Sequence, residues 1–183
     1  SQAVSGGVNK WERGVPSNFL VTVNSPTNVW KTDLDADLTA GTYSCVLQTP
    51  SYNFTAPGVY TLRFRRSMEI AFCNGPFAVQ LQYSSDKGDT WTRLGVNADP
   101  ASTNWYNRGP ATGCPVDASI FADRYGWTIT SNNTLCTYNI STGVPALVGL
   151  PNVTFRFVLS VASGFSAPGY AVDGFMVDDF EIL

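Results

Sequence analysis

The chain has 183 residues, 44% of them apolar and 13% aromatic, while only 14% are charged, against roughly 25% in an average soluble domain. Its net charge is −3, it has no histidine, and its basic residues cluster only at Arg63, Arg65 and Arg66. This excludes a basic nucleic-acid surface, Ser-His-Asp or Cys-His catalysis, and histidine-containing zinc sites.

The length suits one domain over 1–183, and abundant Gly, Pro, Asn, Ser and Thr favour short strands and turns, hence an all-β fold. No apolar run is long enough to cross a bilayer. The chain reads as a piece of a larger parent protein.

Trp11–Pro16 forms a leading segment, with Trp11 expected to cover one edge of the core. Phe19–Val23 is a short alternating strand, Asn24–Asn28 a loop, and Val29–Thr32 extended structure again. Asp33, Asp35 and Asp37 then recur with period two. On a strand they would share one face and repel; in a loop they could converge on a hard cation such as Ca2+. Tyr43–Gln48 is a strand, a turn follows at Ala56–Gly58, and Val59–Met68 alternates most clearly of all, with Glu69–Phe72 extending it.

The run Val79–Gly95 spells a hairpin. Val79, Leu81 and Tyr83 alternate with Gln80 and Gln82; a turn follows, and Trp91 and Leu94 anchor the returning strand. The turn residues Ser84, Asp86, Gly88, Thr90 and Trp91 match position for position the Asp-box, a motif of sialidases, sortilin-like propellers, some microbial ribonucleases and reelin repeats. It marks a fold element and not a reaction, so Asp86 is read as a turn residue that accepts backbone N–H bonds.

Farther on, 96–111 is loop with Trp105-Tyr106-Asn107 inside it, and Cys114–Tyr125 is irregular with room for one helical turn near Ala118–Asp123. Trp127–Thr130 is a strand, Ser131–Thr134 a polar loop, and Thr137–Ile140 and Ala146–Val148 short extended pieces. Val153–Val161 is a strong strand, Ala162–Gly169 a Gly/Pro-rich loop, and Tyr170–Leu183 closes the fold. Strict alternation from Phe175 and Val177 would turn Asp179 and Glu181 inward and Phe180 and Ile182 outward. A bulge at Asp178–Asp179 restores apolar burial.

Four cysteines without CxxC spacing argue against a zinc ribbon or a thioredoxin-like site. Their even number in a lysine-poor, loop-rich chain fits an oxidising compartment and a secreted or cell-surface protein. Three connectivities are open. Sequence proximity pairs Cys45 with Cys73 and Cys114 with Cys136, and buried free thiols are the other reading.

Taken in order, Trp30-Lys31-Thr32-Asp33-Leu34, Tyr43–Pro50, Leu62–Glu69 with Asn74-Gly75, the Ser84–Trp91 turn and the closing run Asp173–Ile182 resemble a specific group. They are similar to the jelly-roll domains shared by MAM modules, reelin subrepeats and many secreted bacterial proteins, those of Bacteroidetes especially. The resemblance covers residues 11–183 and departs at Thr49-Pro50, where Ser-Pro is more usual. It implies a two-sheet antiparallel jelly-roll β-sandwich of concanavalin or galactose-binding type. The domain would be non-catalytic, appended to a secreted enzyme or adhesin, and would often carry a structural Ca2+ between an early loop and the last strand. The oxygen donors here are Asp33, Asp35, Asp37, Glu69, Asp178 and Asp179, with backbone carbonyls and water completing the shell. Otherwise these acids form a solvated face, or Asp178 pairs with Arg156.

Three functions are consistent with these residues. A carbohydrate-binding or adhesive module would stack sugar rings on Trp105, Tyr106, Tyr125 and Trp127, with Tyr170 a further exposed-looking ring. A protein-interaction or spacer domain would dock on neighbouring domains of its parent, or on a copy of itself. A glycoside hydrolase would need two acids such as Glu69 and Asp178, and no motif singles out that pair. The sequons at Asn53, Asn132, Asn139 and Asn152 matter only in a eukaryotic secreted chain.

Overall fold

The computed structural model describes residues 2–5, 9–17, 27–38, 41–69, 77–162 and 172–183. Its strands in chain order are β1 (Gln2–Ser5), β2 (Trp11–Gly14), β3 (Val29–Thr32), β4 (Tyr43–Gln48), β5 (Thr61–Glu69), β6 (Phe77–Ser84), β7 (Thr92–Arg93), β8 (Ser102–Thr103), β9 (Ser131–Asn139), β10 (Thr154–Val161) and β11 (Gly174–Ile182). They pair antiparallel in two sheets, β1-β4-β10-β6-β7 and β2-β3-β11-β5-β9-β8, packed as a jelly-roll sandwich.

Alternation explains the core. Leu62, Phe64 and Met68 of β5 face Phe155, Phe157 and Leu159 of β10 and Phe77, Val79 and Leu81 of β6, all essentially without solvent contact. Phe64 meets Phe157 edge-on at 5.0 Å and Trp127 at 5.8 Å, the T-shaped geometry that aromatic quadrupoles favour. A second, smaller core lies on the outer face of the first sheet. There Val46, Ala78 and Val158 are covered by Val116, Ile120 and Phe121. The irregular 114–125 run is thus a cover built of turns, with no helix in it.

Three local expectations fail. Ser131–Thr134 is the first half of β9 and not a loop. Its polar residues find partners on β5: Ser67 Oγ accepts the Asn133 N–H at 2.8 Å and bonds Asn132 Oδ1 at 3.1 Å, beside a register shift at Arg66–Met68. Trp127–Thr130 is no strand; Trp127 makes only an isolated bridge to Val79. Ala146–Val148 is not extended, because α1 (Ile140–Gly143), capped by Asn139, leads into a 3-10 turn at Pro145–Leu147 with proline at its start. The expected Phe19–Val23 strand and nearly all of the 162–169 loop lie outside the described residues.

The bulge in β11 forms as the parity argument requires. Asp178 pairs with Arg65 and Glu181 with Arg63, so Asp179 and Phe180 together oppose Phe64, and Ile182 falls opposite Leu62. Phe180 turns inward onto Phe64, Phe155 and Phe157, with centroids 5.9–6.2 Å apart. Asp179 absorbs the extra residue at φ 49°, a left-handed conformation that costs an L-residue about 1 kcal/mol. Asp179→Gly is therefore expected to leave stability unchanged or raise it by up to about 1 kcal/mol, read as a higher urea midpoint at constant m. A lower midpoint would mean that the carboxylate, and not the backbone, holds the bulge.

Candidate functional site

A cleft of about 250 Å3 opens between the two sheets. Phe157 of β10 and Val177 and Phe180 of β11 form its floor; Trp30 of β3 and Tyr52 flank it, and Leu47, Gln48, Thr49 and Pro50 complete the wall. Each part has a local cause. The bulge turns Phe180 inward, and paired backbone bonds between Tyr52 and Val153, at 2.7 and 2.9 Å, fix the segment after β4. Thr49 Oγ1 donates to Pro50 O at 2.8 Å and accepts the Phe155 N–H at 3.1 Å, which sets the bend. Partial burial pushes the Tyr52 hydroxyl pKa up. The volume admits one ring or one side chain, below the roughly 300 Å3 at which drug-sized sites begin.

A polar cluster lies at the start of β11. Lys31 and Asp173 are wholly buried, with Nζ 2.7 Å from Oδ1. The same nitrogen bonds the carbonyl oxygens of Thr32 and Asp33. On the neighbouring strand Glu69 Oε2 accepts the Asp173 N–H at 2.9 Å.

The expected metal donors are dispersed. Asp33 bonds Lys10 at 2.9 Å, Asp35 is exposed and Asp37 half-buried. Glu69 holds the Asp173 N–H, Asp178 Oδ1 accepts the Asp179 N–H at 2.9 Å, and Asp179 borders a small hollow with Arg63, Arg65 and Glu181. Among the described residues no three acid, cysteine or histidine side chains gather in a group able to hold a metal. Between the early loop and the start of the last strand, the Lys31 nitrogen bonds the Asp33 carbonyl and pairs with Asp173. Arg156 bonds Gln82 at 2.8 Å and stacks over Trp91.

The rings expected to form a sugar platform do not share one exposed face. Trp105, Tyr106 and Trp127 are core residues. Trp105 Nε1 donates to Leu94 O at 2.9 Å. The Tyr106 hydroxyl donates to Leu81 O at 2.8 Å and accepts the Leu81 N–H at 2.9 Å, and burial holds its pKa far above the usual range. Tyr125 is half-buried, and the Arg93 guanidinium covers its face at 4.0 Å. An aromatic residue in a loop reads as exposed from sequence; here the loops are the cover of the core and point their rings inward. Trp30, Tyr52 and Phe180 are the rings that the fold brings to the cleft, and the bulge parity at Phe180 was the available signal.

Neither expected disulfide pairing forms as drawn, because Cys45 and Cys136 are buried free thiols. Burial pushes the Cys45 pKa up to about 11 and raises that of Cys136, against the opposing charge of Arg66. Cys114 is not among the free thiols, and Cys73 lies outside the described residues. Cys45 and Cys136 are expected to resist iodoacetamide in the native state and to label on denaturation. Labelling of either in the folded protein would contradict their burial.

In the Ser84–Trp91 turn, Ser84 Oγ donates to Asp86 Oδ1 at 2.7 Å and accepts the Gly88 N–H at 2.8 Å. Asp86 takes the Thr90 N–H at 2.9 Å and the Thr90 hydroxyl, while Trp91 Nε1 donates to Gly88 O at 3.0 Å. Donation by Ser84 and Thr90 holds the Asp86 carboxyl well below the usual range. A depressed folded pKa contributes stability above the unfolded value near pH 4, and that contribution is lost as pH falls below it. Asp86→Asn should therefore melt below the parent at pH 7, with the gap narrowing between about pH 5 and pH 2. A constant gap would show that the lost stability is not linked to this proton.

The chain matches no protein-family model and no curated relative. Among the described residues no helix is long and apolar enough to cross a membrane.

Proposed function

We propose that this domain is a non-catalytic, carbohydrate-binding or adhesive module of a secreted or cell-surface protein, and that the cleft flanked by Trp30 and Tyr52 receives one sugar ring. The observation that carries this reading is the cleft itself: an apolar, aromatic-lined slot of single-ring size with Gln48 on its wall. The C–H face of a pyranose packs on aromatic carbon, while an amide fixes its hydroxyls by hydrogen bonds. Affinity electrophoresis against plant, algal and animal polysaccharides tests it. Retardation by at least one glycan is expected, weakened about tenfold in Trp30→Ala and in Gln48→Ala, in line with the loss of one good contact. Silence across all of these glycans sinks the proposal.

The apolar balance of the same cleft favours a second reading, a protein-interaction or spacer unit of the MAM or reelin type that takes a side chain from a neighbouring domain. Sedimentation of the protein with and without that neighbour separates the two. A structural Ca2+ would require Asp33, Asp37, Glu69 and Asp178 to be drawn together. Melting unchanged by chelator after metal-free preparation would remove it from the reading.

Cys45 and Cys136 are free thiols, so a thiol count in denaturant without reductant should include both.

A further inference from the structure

We propose that Lys31 and Asp173 are joined in the folded domain by an intramolecular amide bond that forms without any other protein. The two side chains have no solvent exposure, and Nζ lies 2.7 Å from Oδ1. Lys31 belongs to β3, Asp173 immediately precedes β11, and Glu69 ends β5. These are three neighbouring strands in the order β3-β11-β5. An amine, a carboxyl and a second carboxyl are thus brought together by rigid elements far apart in sequence.

Away from water, an ammonium facing a carboxylate and an amine facing a carboxylic acid differ only in which group holds one proton, and burial disfavours the charged pair. In the amine form both N–H bonds have acceptors, the carbonyl oxygens of Thr32 and Asp33. The lone pair is then left to face Asp173. A nucleophile held on a carboxyl carbon in this way gains from orientation and needs no activating cofactor.

In the step itself, the nitrogen lone pair attacks Cγ and an N–C bond forms. One C–O bond of the carboxylic acid then breaks. The proton shed by nitrogen passes to the departing hydroxyl, which leaves as water. Glu69, which already accepts the Asp173 N–H, is the neighbouring carboxylate assigned to carry that proton. One lysine amine and one aspartic acid give one amide and one water, with no change in oxidation state. The product is a covalent tie between β3 and β11, independent of any ligand in the cleft.

Intact mass spectrometry of the denatured, reduced protein tests the proposal. The expected mass is one water below that of the sequence. Trypsin should fail to cut after Lys31 and should yield a branched peptide containing Lys31 and Asp173. Succinimide formation at Asp173-Gly174 would lose the same mass, so Lys31→Arg is the control, and it should return to the full mass. A full-mass parent with ordinary cleavage at Lys31 overturns the proposal, as does a water loss that persists in Lys31→Arg. Glu69→Gln should give mostly unbridged chain; complete bridging there overturns the role of Glu69.

Discussion

Trp127→Ala is expected to destabilise the domain by about 3–5 kcal/mol, a large part of the roughly 5–15 kcal/mol that holds a typical domain together. The indole is fully buried and lies between Tyr106 at 4.6 Å, Trp105 at 5.4 Å, Phe64 at 5.8 Å and Phe175 at 5.9 Å. Truncation would leave a hole walled by rings anchored on both sheets, which cannot collapse to fill it. A second loss adds to the first. The Arg66 guanidinium sits over the indole at 5.6 Å, and its other contacts are Cys136 Sγ, Met68 Sδ and Ser131 Oγ. Without the ring the buried cation keeps, among the described residues, weak or neutral acceptors. Urea unfolding followed by circular dichroism measures the cost, and Trp127→Phe, which keeps a ring, should lose less than half as much. A sugar-contact role would give the opposite pattern, with affinity lost at an unchanged unfolding midpoint.

The sequence displayed the strands better than the site, and particular residues explain why. Tyr43–Gln48 and Thr154–Val161 alternate because one face of each packs on the opposite sheet, so their period survives in the residue order. The β11 bulge was legible for the same reason: Phe180 and Ile182 could be buried only if one residue were skipped. β9 was hidden because its first four residues are polar and satisfy one another through Ser67 and Arg66, leaving no apolar period to see.

The cleft was hidden more deeply. Phe180 lies more than a hundred positions from both Trp30 and Tyr52, and the pairing of β3 with β11 and of Tyr52 with Val153 gathers them. Trp105, Tyr106 and Trp127 drew attention because they stand among loop residues, and composition carries no record of which way a loop folds back. The metal expectation met a similar limit. Period-two acids suit a cation; in the fold Lys10 pairs with the Asp33 carboxylate and Lys31 bonds the Asp33 carbonyl oxygen, contacts that the spacing alone does not show.

Gly174→Ala tests how the last strand is seated, and it is expected to cost roughly 2–5 kcal/mol, the sum of a conformational and a steric contribution. Gly174 has φ +98°, where an added Cβ is strained whatever the space around it. That Cβ would also lie 2.2 Å from Thr32 Oγ1 and 3.2 Å from Leu38 Cδ1. Thr32 cannot swing aside freely. Its hydroxyl accepts the Phe175 N–H at 3.0 Å and donates to the Phe175 carbonyl at 3.4 Å, so rotation would strip a buried backbone group of its partner. The same displacement would pull Asp173 away from Lys31, so Gly174→Ala should also lower the yield of the branched peptide. The double variant Thr32→Ala, Gly174→Ala separates the two contributions. Removing the hydroxyl costs about 1 kcal/mol by itself but opens the space that the new methyl needs. The double variant should therefore be more stable than the sum of the singles predicts, by about 1–2 kcal/mol. Strict additivity in urea melts would assign the whole penalty to the positive φ and none to the contact with Thr32.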